Sequence, residues 1–311
     1  MSLEMFVQNF FNALGLGALY GLIAIGFTMV FGILRLINFA HGEIFMLGAY
    51  FVFFATIHHQ LPWWMGVVIA IGGVALCGLM VERIAYRPLR NAPRISVLIS
   101  AIGVSFFIQN TAIVAFGAIP RGIVRPAWLT TSMPLRDMLP LEVLQASPIG
   151  NVRLIPLVLW VPVISFIVIM GLLWIIYKTK PGLAMRAISR DIETTRLMGV
   201  SVDKVIALTF ALGSALAALA GIMFALRYPR IEPIMGILPG FKAFIAAIFG
   251  GIGSVPGAMI GGLTLGFVEI MSVAFFPHLS GYRDAFAFVI LILVLLFKPT
   301  GLMGERLEEK I

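Results

Sequence analysis

The stretch "ALGLGALYGLIAIGFTMVFGIL", residues 13–34, decides the fold class because it contains no charged residue. A helix of roughly 20 apolar residues crosses the hydrocarbon core of a bilayer, and this stretch is long enough to do so. The whole chain has the same character, since 60% of its 311 residues are hydrophobic and 12% are charged. Soluble domains carry about 25% charged residues. The sequence therefore predicts an all-α, polytopic helical membrane protein and excludes a water-soluble domain.

Other uncharged runs extend this pattern along the chain and indicate eight or nine membrane segments. Four of them have full span length: residues 61–81, 95–119, 154–177 and 205–226. Two regions in opposite halves are irregular, because 35–57 holds only a short apolar run and 241–268 is interrupted by "GGIGSVPGAMIGG". Such a pair is typical of broken or re-entrant helices in a protein built from an internal inverted repeat, which we adopt as a hypothesis.

The basic residues predict the orientation of the chain, since Lys and Arg are retained on the cytoplasmic side of a membrane. Arg35, the loop at 82–94, the loop at 178–204 and the tail from Lys298 carry most of them. Beyond Arg35 and Lys298 they are Arg83, Arg87, Arg90, Arg94, Lys178, Lys180, Arg186, Arg190, Arg196, Lys204, Arg306 and Lys310. We therefore predict one transmembrane domain, residues 1–311, with the N-terminus and the loop at 120–152 outside and the C-terminus in the cytoplasm.

Small residues recur four positions apart in three of the apolar runs. This spacing lets helices approach closely in lipid. It fits packing within one subunit or packing against a second membrane subunit. The positions are Gly17 and Gly21, then Gly213, Ala217 and Gly221, then Gly257 and Gly261.

The loop at 178–204, "KTKPGLAMRAISRDIETTRLMGVSVDK", predicts a short amphipathic helix outside the bilayer. Its apolar residues recur at three-to-five-residue spacings, its charged residues take much of another face, and Gly199 stands where a helix would end. This helix is either a solvated interfacial helix or a docking element for a cytoplasmic partner. The candidate docking residues are Arg186, Arg190, Asp191, Glu193, Thr194, Arg196 and Gly199.

Asn38, His41 and Glu43 form a polar group between two apolar runs. Asn38 suits a helix cap and Glu43 suits the positive end of a helix dipole, so the group predicts a capped helix start. A polar gate on the inner side of a solute pathway is the alternative. A structural zinc site is disfavoured, because His41 and Glu43 are too few for its four ligands.

The run at 95–119 contains unusual polar groups for a membrane span. Ser100 lies on one helical face, whereas Ser105 and Gln109 share a face about half a turn away, with Asn110 beside them. Intramembrane polar groups usually turn toward a partner helix or a cavity. These residues therefore either line a solute pathway or form hydrogen bonds between helices. The remaining pathway candidates are the glycines of the later interruption, Gly250, Gly251 and Gly253.

Glu269 is the clearest acidic residue within an apolar stretch, "TLGFVEIMSVAFF". An intramembrane carboxylate is a functional candidate by default. It either reaches water near the outer end of its span or pairs with Arg283. We do not assign it to proton coupling.

Several functional classes lack the residues that they need. Cys77 is the single cysteine, so no disulfide forms within the chain and no cysteine metal cluster is predicted. No G-x-x-x-x-G-K-[ST] motif occurs, so the chain lacks a P-loop for nucleotide phosphates. No paired carboxylates or serine–histidine pair suggests catalysis. We predict that the chain is not an enzyme and binds no nucleic acid, metal or cofactor.

Five segments, in order along the chain, resemble the branched-chain amino acid permease family of ATP-binding-cassette importers. "ETTRLMG", residues 193–199, also resembles the Glu-Ala-Ala-x-x-x-Gly element of importer permeases, with Thr194 and Thr195 at the alanine positions. The resemblance covers nearly the whole chain. The five segments are "GLGALYGLIAIGFTMVFGILRLINFAHGEIFMLGAY", "RPLRNAP" with "LISAIGVSFFIQN", "RAISRDIETTRLMGVSVDKVIALTFALGSALAALAG", "FKAFIAAIFGGIGSVPGAMIGG" and "KPTGLMGE".

This resemblance implies a permease subunit that moves leucine, isoleucine and valine across a bacterial inner membrane. It implies as partners a second homologous permease, two cytoplasmic ATPase subunits that use ATP, an extracytoplasmic solute-binding protein and the membrane lipid. The loop at 178–204 is then the docking site for the ATPases. Two alternatives stay open. The solute is urea or a short amide, or the chain is a stand-alone secondary transporter or channel, which Glu269 and the broken helices would serve.

Overall fold

A computed structural model describes residues 2–90, 92–138, 148–298 and 300–304. Arg306, Lys310 and residues 139–147 of the predicted outer loop lie outside the described residues. Four two-residue strands form two antiparallel pairs: β1 (Arg121–Gly122) with β4 (Arg230–Ile231), and β2 (Met133–Pro134) with β3 (Arg153–Leu154). The α-helices of the described residues are α1 (Leu3–Leu34), α2 (His41–Phe53), α3 (Trp63–Val81), α4 (Arg94–Phe116), α5 (Ala127–Thr130), α6 (Leu135–Met138), α7 (Pro156–Lys178), α8 (Lys180–Arg190), α9 (Ile192–Leu197), α10 (Val202–Arg227), α11 (Ile237–Gly250), α12 (Val255–Phe275) and α13 (Arg283–Phe297).

Seven helical segments of the described chain are long and apolar enough to cross a membrane, which confirms the predicted all-α membrane fold. They contain α1, α3, α4, α7, α10, α12 and α13. Helices α2 and α11 are shorter, with 13 and 14 residues. At 1.5 Å per residue each is about 20 Å long, which is less than the ~30 Å of the hydrocarbon core. These are the two irregular regions predicted from the sequence.

The ends of the helices fall into two groups. At one end, which we call the basic end, α8 and the start of α10 share a buried cluster with the end of α1 and the turn after α3. The turn at 251–254 lies at the same end, because a Cβ on Gly32 near the end of α1 would lie 3.7 Å from Gly253. The tail joins it there through a 2.8 Å hydrogen bond from the Met303 N–H to the Gly250 carbonyl.

The opposite end carries the connections predicted to lie outside. Strand β1, after α4, pairs with β4, after α10. Val7 and Phe11 of α1 pack against a small cluster that includes Leu135. With α2 and α11 counted as passes, the chain runs between the two ends nine times, in agreement with the predicted eight or nine segments.

Helices α1 and α10 form the centre of the bundle and run antiparallel. The Arg227 guanidinium, at the end of α10, donates to the carbonyl of Asn12 near the start of α1 at 3.1 Å. The two helices cross where a Cβ on Gly213 would meet the Gly26 carbonyl at 3.2 Å. Val30 of α1 shares its buried cluster with Val202 at the start of α10.

The contacts around this central pair recur in the two halves of the chain. Helix α1 packs on α11 and α12 as α10 packs on α2 and α3, and α2 packs on α3 as α11 packs on α12. Matching α1 with α10, α2 with α11 and α3 with α12 therefore reproduces the main contacts. Because α1 and α10 are antiparallel, the relation is inverted, which supports the predicted internal repeat.

Helices α1 and α12 pack with their backbones in contact. A Cβ on Gly17 would meet the Leu263 Cα at 2.7 Å, and a Cβ on Gly262 would overlap the backbone of Gly21. Only glycine fits at such a contact. The remaining glycines of the predicted series also face backbone atoms of this chain, which confirms packing within the subunit. They are Gly213, Gly221, Gly257 and Gly261.

Candidate docking and translocation sites

The predicted docking loop is a pair of helices, α8 and α9, at the basic end. Thr179 caps α8 by accepting a 3.3 Å hydrogen bond from the Gly182 N–H, and Pro181 stands in its first turn. Met185 and Ile188 are buried against the base of α10. The apolar face of α8 therefore fixes the loop to the bundle, as the amphipathic pattern predicts.

The prediction of one continuous helix was wrong, because the chain breaks at Asp191. This residue has extended backbone angles, and its carboxylate accepts hydrogen bonds from the N–H groups of Glu193 and Thr194 at 3.0 and 3.1 Å. The Thr194 hydroxyl also donates to it at 2.6 Å. An aspartate that satisfies the free N–H groups of a helix start favours a new helix over continuation of the old one.

The surface of this loop is charged and exposed. Arg186 lies over the Tyr177 ring, 5.4 Å from its centroid, and Gly199 ends α9 in a left-handed conformation with φ of +82°, as predicted. Leu197 and Met198, which were not among the predicted docking residues, are 88% and 79% exposed. The exposed candidate docking residues are Arg186, Arg190, Asp191, Glu193, Thr194, Arg196 and Gly199.

Asn38 is buried, and its side chain does not cap α2. Ala40 occupies the cap position without a side-chain hydrogen bond. The side-chain oxygen of Asn38 accepts instead from the Tyr86 hydroxyl at 3.1 Å, while its carbonyl accepts from the His41 N–H at 3.1 Å. The predicted cap was wrong because the side-chain oxygen of Asn38 already accepts a hydrogen bond from a tyrosine in the turn after α3.

His41 and Glu43 lie in the first turn of α2 and face different neighbours. The His41 ring packs on Phe27 of α1 with centroids 4.5 Å apart, whereas Glu43 accepts a hydrogen bond of 3.3 Å from Ser105 of α4. Both side chains are at most 3% exposed. The second carboxylate oxygen of Glu43 and Nε2 of His41 have no partner among the described residues. Glu43 stands at the positive end of the helix dipole, as the sequence predicts.

The other pathway candidates do not join Glu43 in one cavity. Ser100 donates to the Ala85 carbonyl at 3.3 Å, and the exposed Asn110 donates to the Phe106 carbonyl of its own helix at 2.8 Å. Gln109 is half-buried on the face of Ser105. Gly250, Gly251 and Gly253 form the turn between α11 and α12, where the last two have φ of +106° and +96°. The candidates thus divide between the α2–α4 contact and this turn.

Glu269 forms an ion-pair cluster instead of reaching water. Its carboxylate is fully buried and contacts the guanidinium of Arg283, as predicted. The Lys242 ammonium lies 2.9 Å from Glu269 and 2.6 Å from Asp284, and 5.7 Å from the centroid of the Tyr20 ring. Lys242 was not predicted as a site residue, although a lysine followed by the apolar run "AFIAAIFG" carries the same signal as Glu269.

A second ion-pair cluster lies at the basic end and was also missed. Arg90 donates to Glu82, in the turn that extends α3, and to Asp203, in the first turn of α10. Arg87 also pairs with Asp203. Glu82 is buried, whereas Asp203 is 48% exposed. From the sequence, Arg87 and Arg90 were predicted only to be loop charges, and Glu82 and Asp203 were assigned no role.

Known proteins are similar to this chain over almost its full length. Residues 9–295 match the family model described as branched-chain amino acid transport system / permease component. The high-affinity branched-chain amino acid transport system permease proteins LivH of Salmonella typhimurium and BraD of Pseudomonas aeruginosa are each 40% identical, over 98% of this chain and 98% of their own length. A probable branched-chain amino acid transport permease protein LivH of Methanocaldococcus jannaschii is 27% identical over 91% of this chain and 88% of its own.

Proposed function

The chain belongs to the branched-chain amino acid transport permease family, and from this premise we propose that it carries leucine, isoleucine and valine through the membrane as one permease of an ATP-binding-cassette importer. The observation that carries the proposal is the exposed α8–α9 pair, which is fixed to the bundle by its apolar face. It presents outward its charged residues and four apolar side chains, those of Leu183, Ile192, Leu197 and Met198. A partner that binds there has direct contact with the base of α10.

The energy for uphill transport comes from partner subunits. The chain has no P-loop motif, so two ATPase subunits supply ATP hydrolysis and dock on α8 and α9. The basic end then faces the cytoplasm and the N-terminus lies outside. A second homologous permease and an extracytoplasmic solute-binding protein complete the importer.

The solute pathway runs along the half-buried face of α4 that carries Ser105 and Gln109. Ser105 is hydrogen-bonded to Glu43, a buried carboxylate whose second oxygen has no partner among the described residues. A polar solute that passes this face therefore meets a hydroxyl that is held by a carboxylate. Asn38 and His41 hold the start of α2 beneath it, and Ser100 and Asn110 flank it on α4. Gly250, Gly251 and Gly253 contribute the turn between α11 and α12, which lies at the same end of the bundle as the start of α2.

The alternative, a stand-alone secondary transporter, loses its main candidate residue for binding a coupling ion. Glu269 is held between two cations, Lys242 and Arg283, so its carboxylate is neutralised by fixed partners and is a poor carrier for a coupling ion. Uptake of labelled leucine and of labelled urea distinguishes branched-chain amino acids from urea or short amides as the solute.

Uptake by reconstituted vesicles tests the proposal. The chain is co-expressed with the second permease, the ATPases and the solute-binding protein of the proposed importer, purified and placed in proteoliposomes. We expect two ATPase subunits to co-purify and labelled leucine to accumulate only with ATP. Accumulation of labelled urea in place of leucine would transfer the proposal to that solute. Uphill uptake by the purified chain without ATPases would overturn it.

A further inference from the structure

The ion-pair cluster at the basic end, Glu82, Arg87, Arg90 and Asp203, joins three parts of the chain. We call it the Asp203 cluster. Asp203 stands four residues after Gly199, which ends the docking helices, while its two arginines lie between α3 and α4. More than 100 residues separate Asp203 from either arginine in the sequence. The cluster is therefore a charged connection between the docking loop and the α3–α4 connection.

We propose that the Asp203 cluster couples the docking loop to α3 and α4, so that motion which ATPase subunits impose on α8 and α9 reaches the solute pathway through it. This inference rests on the proposed function. Arg87, Arg90 and Asp203 are assigned as positioning residues, because they act on the pathway through the neighbouring groups that hold α2 and α4.

A chain of contacts leads from the cluster to the pathway candidates. Tyr86 directly precedes Arg87, and its hydroxyl donates to Asn38 at the start of α2. Ala85, one residue earlier, accepts the hydrogen bond from Ser100 of α4. A displacement of Asp203 that moves Arg87 and Arg90 therefore also moves the groups that hold α2 and α4 in place.

The Glu269 cluster has the same make-up at the opposite side of the inverted repeat. Glu82 follows α3 and Glu269 lies in the matching helix α12, and both are buried. Glu82 pairs with Arg90, in the connection before α4, and Glu269 pairs with Arg283, the first residue of α13. Each cluster contains two cations and two carboxylates. One of the two carboxylates belongs to an aspartate that is almost half exposed, Asp203 at 48% and Asp284 at 45%.

The two clusters differ in what they connect. Lys242, Glu269, Arg283 and Asp284 all belong to the second half, on α11, α12 and α13. The Asp203 cluster instead joins the first half to α10. Of the two ion-pair clusters, the Asp203 cluster is therefore the one that links the end of the docking loop to the other repeat, and Asp284 supplies a control with matched charge and exposure.

Apolar packing next to the Asp203 cluster determines how strongly we expect loss of its ion pairs to weaken coupling. The docking helix α8 also touches the base of α10 through Met185 and Ile188, in the buried cluster that contains Ala85 and Tyr86. This apolar contact transmits part of the motion without the charges. Loss of the ion pairs should therefore weaken coupling without abolishing it.

The experiment measures leucine imported per ATP hydrolysed by the reconstituted complex with Asp203→Asn, Asp203→Glu and Asp284→Asn. We expect Asp203→Asn to lower this ratio by about 2- to 30-fold, the range of such couplings, while ATPase subunits remain bound and hydrolyse ATP. Asp203→Glu should restore most of the ratio and Asp284→Asn should keep it. An Asp203→Asn ratio equal to wild type, or equal losses in the Asp203→Asn and Asp284→Asn variants, would overturn the inference.

A crosslink keeps the inference testable if Asp203→Asn fails to assemble. Arg87→Cys and Asp203→Cys are combined with Cys77→Ser and joined by a short bis-methanethiosulfonate reagent. If residues 87 and 203 stay together throughout the transport cycle, the crosslinked complex should take up more leucine than the same variant does after the crosslink is reduced. Uptake that stops on crosslinking and returns on reduction would overturn the coupling and assign a gate that must open. Absence of ATP-driven leucine uptake by the wild-type complex would instead refute the proposed function.

Discussion

The hydroxyl of Tyr86 donates a hydrogen bond of 3.1 Å to the side-chain oxygen of Asn38, although 48 residues separate them. Both side chains are buried, at 1% and 2% exposure. The bond joins the turn after α3 to the segment before α2. It gives the short helix α2 a fixed starting point that its own cap residue does not provide.

Replacing Tyr86 with phenylalanine leaves this buried Asn38 oxygen without its donor. An unsatisfied buried acceptor costs about 1–3 kcal/mol, so we expect a lower unfolding midpoint for Tyr86→Phe in thermal denaturation of the purified complex. Asn110→Ala is the matched control, because that exposed amide bonds only to its own helix. Identical midpoints for Tyr86→Phe and wild type would show that the bond contributes nothing in the membrane.

Replacing Gly262 with alanine forces α1 and α12 apart. The added Cβ overlaps backbone atoms of Gly21, which cannot turn aside as a side chain can. Overpacking of this kind costs about 1–3 kcal/mol, so Gly262→Ala should lower the yield of folded protein and its unfolding midpoint. Gly72→Ala, on α3 with no atom within 4 Å of the added Cβ, should behave as wild type. The close approach is refuted if the two variants are equally stable.

Replacing Glu269 with glutamine leaves Lys242 and Arg283 with one negative partner fewer. Breaking a buried ion pair on one side costs about 3–5 kcal/mol, because the remaining charge stays in a medium of low polarity. The exposed Asp284→Asn change should cost less than about 1 kcal/mol. Thermal unfolding of the two variants compares them directly. An unfolding midpoint of Glu269→Gln that equals or exceeds that of Asp284→Asn would contradict a stabilising role for this ion-pair cluster.

The triple change of Glu193, Arg196 and Gly199 to alanine alters the exposed face of the docking loop. We expect ATP-driven leucine uptake to fall sharply and ATPase subunits to dissociate or to hydrolyse ATP without transport. Uptake, pull-down of the ATPases and ATP hydrolysis are measured on one preparation. Arg153→Ala, an exposed change at the opposite end, should leave all three unchanged. Normal uptake by the triple variant refutes docking at this site.

Glu43→Gln and Ser105→Ala test the proposed pathway together. The two groups share one hydrogen bond, so their effects on the leucine concentration for half-maximal uptake should not add in the double variant. Ser96→Ala, on another face of α4, should transport normally. Strict additivity, or no effect of either change, would remove these residues from the pathway.

Local and compositional features of this fold were predictable from sequence. Apolar length located the long spans, and basic residues assigned the loops to the correct two groups. The interruption at Gly251 and Gly253 was visible because glycines tolerate the positive φ that the turn between α11 and α12 requires. Gly199 was predicted to end its helix for the same reason.

Contacts between distant residues were not predictable. Asn38 has the composition of a cap, yet Tyr86 occupies its side chain. The pairing of Lys242 with Glu269, 27 residues apart, depends on the packing of α11 against α12. Arg87 and Asp203 look like solvated charges in the sequence. Their pairing becomes visible only when α10 lies beside the turn after α3. Asp191 differs from these, since an aspartate at a cap position with an acidic residue, Glu193, in the following turn is a local helix-start signal, which the amphipathic pattern concealed.

The backbone contact between α1 and α12 has a mechanical consequence. Where their backbones touch, no side chains lie between the two helices that could rearrange. We therefore expect the two helices to move together as one rigid unit. Any change of shape that admits solute from one side and releases it on the other must bend the molecule elsewhere. The outer helices α4 and α13, which bury little of their surface within this chain, are where that displacement has room to occur.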